Sequence, residues 1–231
     1  MRIITGILLL TVLMWIETAS AQNETASAQK VYSLSVSRHR AVPALTAREV
    51  NVILAAASKM LQKDSTHHSD DDTACNVTFT LKGPVGTFGS PDTPDVVDEQ
   101  HIAAVHQVDA NVTGVDFHVK VVREIDFCRP GLRGPFEGCS FSPPDFRSMI
   151  VVHPKLHIRP HYPDNLLWPH EFGHLTGLGH REDPNALMTP CALTKNDVQV
   201  KRSECQCLRG GPASCQLPAP VGCSATGHGG P

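Results

Sequence analysis

His170, Glu171, His174, Gly177 and His180 are set out as H-E-x-x-H-x-x-G-x-x-H. On a helix, two histidines four residues apart lie one above the other on one face. Two imidazole nitrogens at that separation can grip one zinc ion. Glu171 follows the first of them and is rotated off that line, so it can reach a water on the metal without binding the metal. Gly177 comes one turn after His174. Glycine adopts positive φ without steric cost, so the helix can end there and the chain can turn. The turn brings His180 back as a third ligand. Three neutral imidazoles leave a fourth position open to water, which is the pattern of a catalytic zinc site rather than a structural one. In a chain with 13 His and 17 Gly, the five fixed positions would coincide by chance about once in ten thousand such chains. His153, His157 and His161 lie outside the motif and read as ordinary core or surface residues.

A site of this kind needs a helix, a turn and a scaffold. Residues 30–39 place Val31, Leu34 and Val36 with Tyr32 as a strand. Thr46 with Glu49 three residues later is a capping box, and Val50, Ile53, Leu54, Ala57 and Leu61 follow at helical spacing to Gln62. Residues 76–81 alternate as a strand, 83–98 read as irregular, and 115–127 read as one longer strand. Residues 128–144, with five Gly or Pro between Cys128 and Cys139, read as a loop, and 148–153 as a buried strand. Pro169 is comfortable only in a helix's first turn, so the second helix begins near Asp164–Trp168 or kinks at that proline. The order of elements predicts an α/β sandwich with a twisted sheet. The run His67–Asp72 has cation-ligand residue types but reads as a solvated loop.

The chain has 231 residues, 41% hydrophobic and 19% charged, with a formal net charge of −3. That balance argues against a nucleic-acid partner. Arg2, the apolar stretch 3–16 and Ala19-Ser20-Ala21 read as an export signal cleaved after Ala21, with an uncleaved anchor as the alternative. The expected organisation is a signal peptide (1–21), a spacer (22–29), a catalytic domain (30–207) and a Gly/Pro-rich tail (208–231), with no membrane association after cleavage. Eight cysteines behind such a signal predict structural disulfides, with the pairing open among 105 possibilities, and a secreted protein, or a periplasmic one in a bacterium. Asn23, Asn76 and Asn111 head glycosylation sequons. Oligomeric state has no signal in the sequence.

The motif resembles that of the metzincin zinc metallopeptidases and is most similar to the matrixins. Asn185-Ala186-Leu187-Met188 resembles the matrixin Met-turn, with Met188 eight residues after His180. Residues 193–198, with Thr194 as N-cap and Asp197 at N3, resemble the start of the family's last helix. The helix at 46–62 resembles its first. The resemblance implies a twisted five-stranded mixed sheet with an antiparallel edge strand, an active-site helix, a Met-turn and a C-terminal helix. It also implies that Met188 forms an apolar floor below the metal, and that an extended peptide binds along the edge strand. The chain departs from the family in three ways. Arg181 stands where matrixins usually have Ser, no cysteine-switch segment is found, and neither is the segment for structural zinc and calcium. Calcium therefore has no supporting motif.

These residues together predict a secreted zinc metalloendopeptidase in which Glu171 is the general base and His170, His174 and His180 hold one zinc ion. The alternative is a catalytically silent zinc-containing binding protein on the same fold. The intact Glu171 argues against it.

Overall fold

The structure is a computed structural model describing residues 28–62, 74–108, 112–140, 147–156, 163–183, 185–190, 198–211 and 214–215. The residues read as a signal, most of those read as a spacer, the His67–Asp72 run, His157, His161, Thr194 with its expected cap, and the two sequon residues Asn23 and Asn111 lie outside them.

The described chain runs β1 (Lys30–His39), α1 (Ala47–Gln62), β2 (Val77–Leu81), β3 (Gly86–Phe88), β4 (Asp95–Val96), α2 (Glu99–Gln107), β5 (Phe117–Val122), β6 (Glu124–Arg129), β7 (Leu132–Phe136), β8 (Gly138–Ser140), β9 (Ser148–Val152), a 3-10 turn (Pro154–Leu156), α3 (Asp164–Leu175) and α4 (Arg202–Gly210). The main sheet has the order β2-β1-β5-β9-β8, with β3 pairing β1 further along. Its strands are parallel except β8, which runs antiparallel to β9 at the edge. The α/β class, the five-strand path and the antiparallel edge are those expected. A second, small sheet of order β4-β6-β7 lies beside it.

Both faces of the main sheet are buried, as parallel sheets require. Tyr32, Leu34 and Val36 of β1, Phe117, Val119 and Val121 of β5, and Met149 and Val151 of β9 pack beneath α1 and α3. Val122, Ile150 and Val152 point the other way, against Ile102 and Val105 of α2 and against Ile125 and Phe127 of β6. α1 begins with the predicted capping box: Glu49 Oε2 accepts from the Thr46 backbone N–H at 2.8 Å, and Thr46 Oγ1 accepts from that of Glu49 at 3.2 Å.

Several expectations need correction. The strand read over 115–127 is two strands, broken at Arg123. There the chain leaves the main sheet, the Arg123 backbone N–H donates to Pro94 O, and its guanidinium pairs with Asp95. The loop read over 128–144 contains β7 and β8. Pro135 is tolerated because β7 is the edge of its small sheet. The irregular stretch 83–98 contains β3 and β4. α2 had no sequence assignment, although its cap is local: the Asp98 side chain accepts from the His101 N–H at 2.9 Å.

Three disulfides join described residues: Cys75–Cys205, Cys128–Cys139 and Cys207–Cys215. The first closes a separation of 130 residues and ties α4 to the start of β2. The third holds Cys215, whose backbone N–H donates to Thr176 O at the end of α3. α4 runs through Gly210, so the first residues assigned to the tail are helical, and Leu208 is buried. The Tyr32 hydroxyl lies 2.9 and 2.7 Å from the Leu208 and Arg209 carbonyls and so ties α4 to β1.

His106 on α2 is buried, its Nδ1 2.6 Å from Ser148 Oγ. Burial first, then the charge of Lys120, pushes this imidazole down to about 3. In the unfolded chain it takes up a proton near the ordinary value of about 6.5. Between these values the unfolded state binds more protons, so this contribution to stability is complete above about pH 6.5 and declines as the pH falls. Between pH 7 and 4.5 the expected decline is about 2–3 kcal/mol. Urea unfolding of the native chain and of His106→Asn at both pH values should show that component missing from the variant.

Candidate metal centre

α3 starts at Asp164, directly after Pro163 at its N-cap. The start falls at the early end of the expected range, and Pro169 therefore lies at the sixth position, inside the helix and past its first turn. The helix ends as the motif requires. Gly177 has φ 95°. The Gly177 N–H donates to His174 O and the Leu178 N–H to Gly173 O, both at 3.0 Å. That is a Schellman motif, in which a left-handed residue satisfies the last carbonyls and turns the chain away. The chain then returns, and His180 stands opposite His170 and His174.

The three imidazoles converge. His180 Nε2 is 3.0 Å from His174 Nε2 and 3.3 Å from His170 Nε2. Ligand atoms on a tetrahedral zinc, each about 2.0–2.1 Å from the ion, stand roughly 3.3 Å apart. His170 Nδ1 lies 2.7 Å from Leu187 O, and His174 Nδ1 lies 2.8 Å from Leu178 O. A carbonyl only accepts, so each Nδ1 carries the proton and each Nε2 presents its lone pair to the centre. Burial, followed by the neighbouring His180, pushes His170 down to about 4, and burial holds His174 well below its ordinary value. Both are neutral at physiological pH, the form that binds metal. Among the described residues, His170, His174 and His180 form a group that could hold a metal ion. The donor set, the separations and the tautomers fit zinc.

Glu171 is 4% exposed. Burial pushes its carboxyl up to about 8, with Ser140 pulling the other way. A divalent cation at the three imidazoles would draw that value down.

Met188 is fully buried. A Cβ built on Gly173 would stand 2.4 Å from Met188 Sδ, so α3 rests on this methionine through a glycine. The turn is held by Leu187 N–H to Gln199 O at 3.0 Å and by Gln199 N–H to Asn185 O at 2.7 Å. Gly173 was not singled out in the sequence. Its one signal there is a glycine in a helix interior, which costs about 1 kcal/mol relative to alanine. Gly173→Ala should lower stability by about 1–3 kcal/mol through overpacking, despite the gain in helix propensity. Thermal unfolding of the variant checks this.

Arg181, the departure noted beside His180, joins three parts of this region. Its backbone N–H donates to Met188 O at 2.8 Å, its guanidinium lies 3.4 Å from Glu204 of α4, and it donates to Gln199 O at 3.3 Å. The helix behind the Met-turn is α4, which starts at Arg202 and is capped by Glu204 Oε2 accepting from the Lys201 N–H at 2.7 Å. His153 is buried, and its Nδ1 accepts from the Lys155 N–H at 3.1 Å, away from the cluster.

No match was found among curated protein sequences. Among solved structures, archaemetzincin from Methanopyrus kandleri is similar at 16% identity and a TM-score of 0.49, over 80% of this chain and 96% of that one. The matrixin family model matches residues 48–209, a span that contains all but the first residue of α1, the whole sheet beyond β1, the histidine cluster and the Met-turn. The chain belongs to the matrixin family and is a zinc metallopeptidase.

Proposed function

We propose that the chain is a secreted zinc metalloendopeptidase with Glu171 as its general base. The observation that carries this reading is the convergence of three imidazoles, of which burial holds His170 and His174 neutral, next to the buried Glu171 carboxyl, beside an edge strand of the sheet. His170, His174 and His180 would hold the ion, which when bound activates a water and polarises the scissile carbonyl. Glu171 takes the proton from the attacking water and delivers it to the leaving amine. The apolar burial of Glu171 favours its protonated form, which suits the second half of that transfer. Strand β8 is the edge of the main sheet and packs beside α3. An extended peptide pairing with it would be held alongside the histidines. Six cysteines joined in disulfides support an oxidising compartment. Among the described residues no helix is long and apolar enough to cross a membrane.

The test is cleavage of a denatured generic protein by residues 22–231, with zinc assayed in the same sample. One zinc per chain, with cleavage abolished by a chelator and by Glu171→Ala, is the expected result. One zinc without cleavage would favour the silent binding protein. A folded chain that takes up no zinc would overturn the reading.

A further inference from the structure

The edge strand does more around Glu171 than offer a free edge. β8 pairs with β9 through Gly138↔Val151, Cys139↔Ile150 and Ser140↔Met149. Side chains alternate along a strand, so Gly138 and Ser140 share the face turned to α3, and Cys139 points into the opposite core with Cys128. A Cβ built on Gly138 would lie 2.3 Å from Glu171 Oε1, 2.5 Å from its Cδ and 2.6 Å from its Cγ. Gly138 is not among the residues with positive φ, so its backbone conformation does not demand glycine. The carboxylate behind it does. One residue further on, Cys139 is covalently tied to Cys128 of β6. β8 is three residues long and, among the described residues, pairs with β9 alone, so this bond is a second anchor.

We propose that Gly138 is a positioning residue for Glu171: the bare backbone of β8 is the wall against which the carboxylate rests, and the Cys128–Cys139 disulfide sets where that wall stands. This rests on the reading of Glu171 as general base only for its effect on turnover, since the steric contact is independent of it. A methyl group at position 138 must displace Glu171 or the strand, because contacts below 3 Å cannot be accommodated in a close-packed interior. Breaking the disulfide frees the strand to move away and leaves the carboxylate less closely held.

The experiment uses the full mature chain. Gly138→Ala is expected to lower Tm by about 3–10 °C, and to lower it far less in a Glu171→Ala background, where the side chain it strikes is gone. An equal fall in both backgrounds would overturn the contact. In zinc-loaded protein, Gly138→Ala should lower kcat by about 10–100-fold, since a roughly 1 Å misplacement can cost about 100-fold, with KM and zinc content little changed. Unchanged kcat, or a loss explained by missing zinc, would overturn the positioning role. The Cys128→Ser/Cys139→Ser double variant should lower kcat in the same KM-sparing way. Unchanged kcat there would remove the disulfide from the proposal. Should Glu171→Ala itself retain turnover, the general-base reading fails, while the Tm coupling still reports on the contact.

Discussion

Glu171→Gln is expected to lower kcat by about 10²–10⁴-fold while the chain keeps one zinc. Glutamine has the shape of glutamate and can occupy the same space behind β8, so neither the wall at Gly138 nor the three ligands should shift. What it lacks is an oxygen able to take a proton at neutral pH. The substitution also removes a buried ionisable group. Burial holds the Glu171 carboxyl near 8, above the ordinary value of about 4.3. Between these values the folded metal-free chain keeps a proton that the unfolded chain releases, so stability falls as the pH rises. The metal-free Gln variant should therefore be at least as stable as the native chain at pH 7. Steady-state kinetics, zinc assay and thermal unfolding on one preparation check all three statements. Full turnover with zinc retained would remove Glu171 from the chemistry.

His174→Ala is expected to abolish both zinc retention and cleavage. His174 is the middle ligand, with Nε2 3.0 Å from that of His180 and Nδ1 fixed by Leu178 O. Loss of a partner that merely orients a ligand costs about 10–100-fold in metal affinity, so loss of the ligand itself should exceed roughly 100-fold. The fold should survive. The two apolar clusters are assembled without the histidine rings, three disulfides constrain the chain, and alanine favours a helix more than histidine does. Competition with a chromogenic chelator measures the affinity, and circular dichroism checks the fold. A chelator should reproduce the defect in the native chain. Added zinc should then restore the native chain and not the variant.

Much of the centre was legible because its physics is local. His170 and His174 share a helix face by the 3.6-residue repeat, and Gly177 ends the helix because it alone can take φ 95° there without strain. The Thr46–Glu49 capping box spans three residues and forms as read. The strands β1, β2 and β9 carry their burial in their own alternation or apolar run. Pattern alone was insufficient where two segments compete for one stretch. The apolar residues from Phe117 to Phe127 continue past Arg123 without a change of period. The break comes from Asp95 and Pro94, about thirty residues earlier in the chain, which hold Arg123 in place. β7 and β8 contain Gly and Pro at an edge, where intrinsic propensity is weak and neighbouring strands decide.

The residue types in the motif, the face they share and the turn that returns His180 followed from sequence, since each depends on neighbours within about ten positions. The tertiary structure decided which cysteines meet, that Gly173 must be bare for Met188 to lie beneath α3, and that Gly138 must be bare for Glu171 to lie behind β8. Those are close contacts between segments far apart in the chain. They are set by the close packing of the folded interior, which no local spacing encodes.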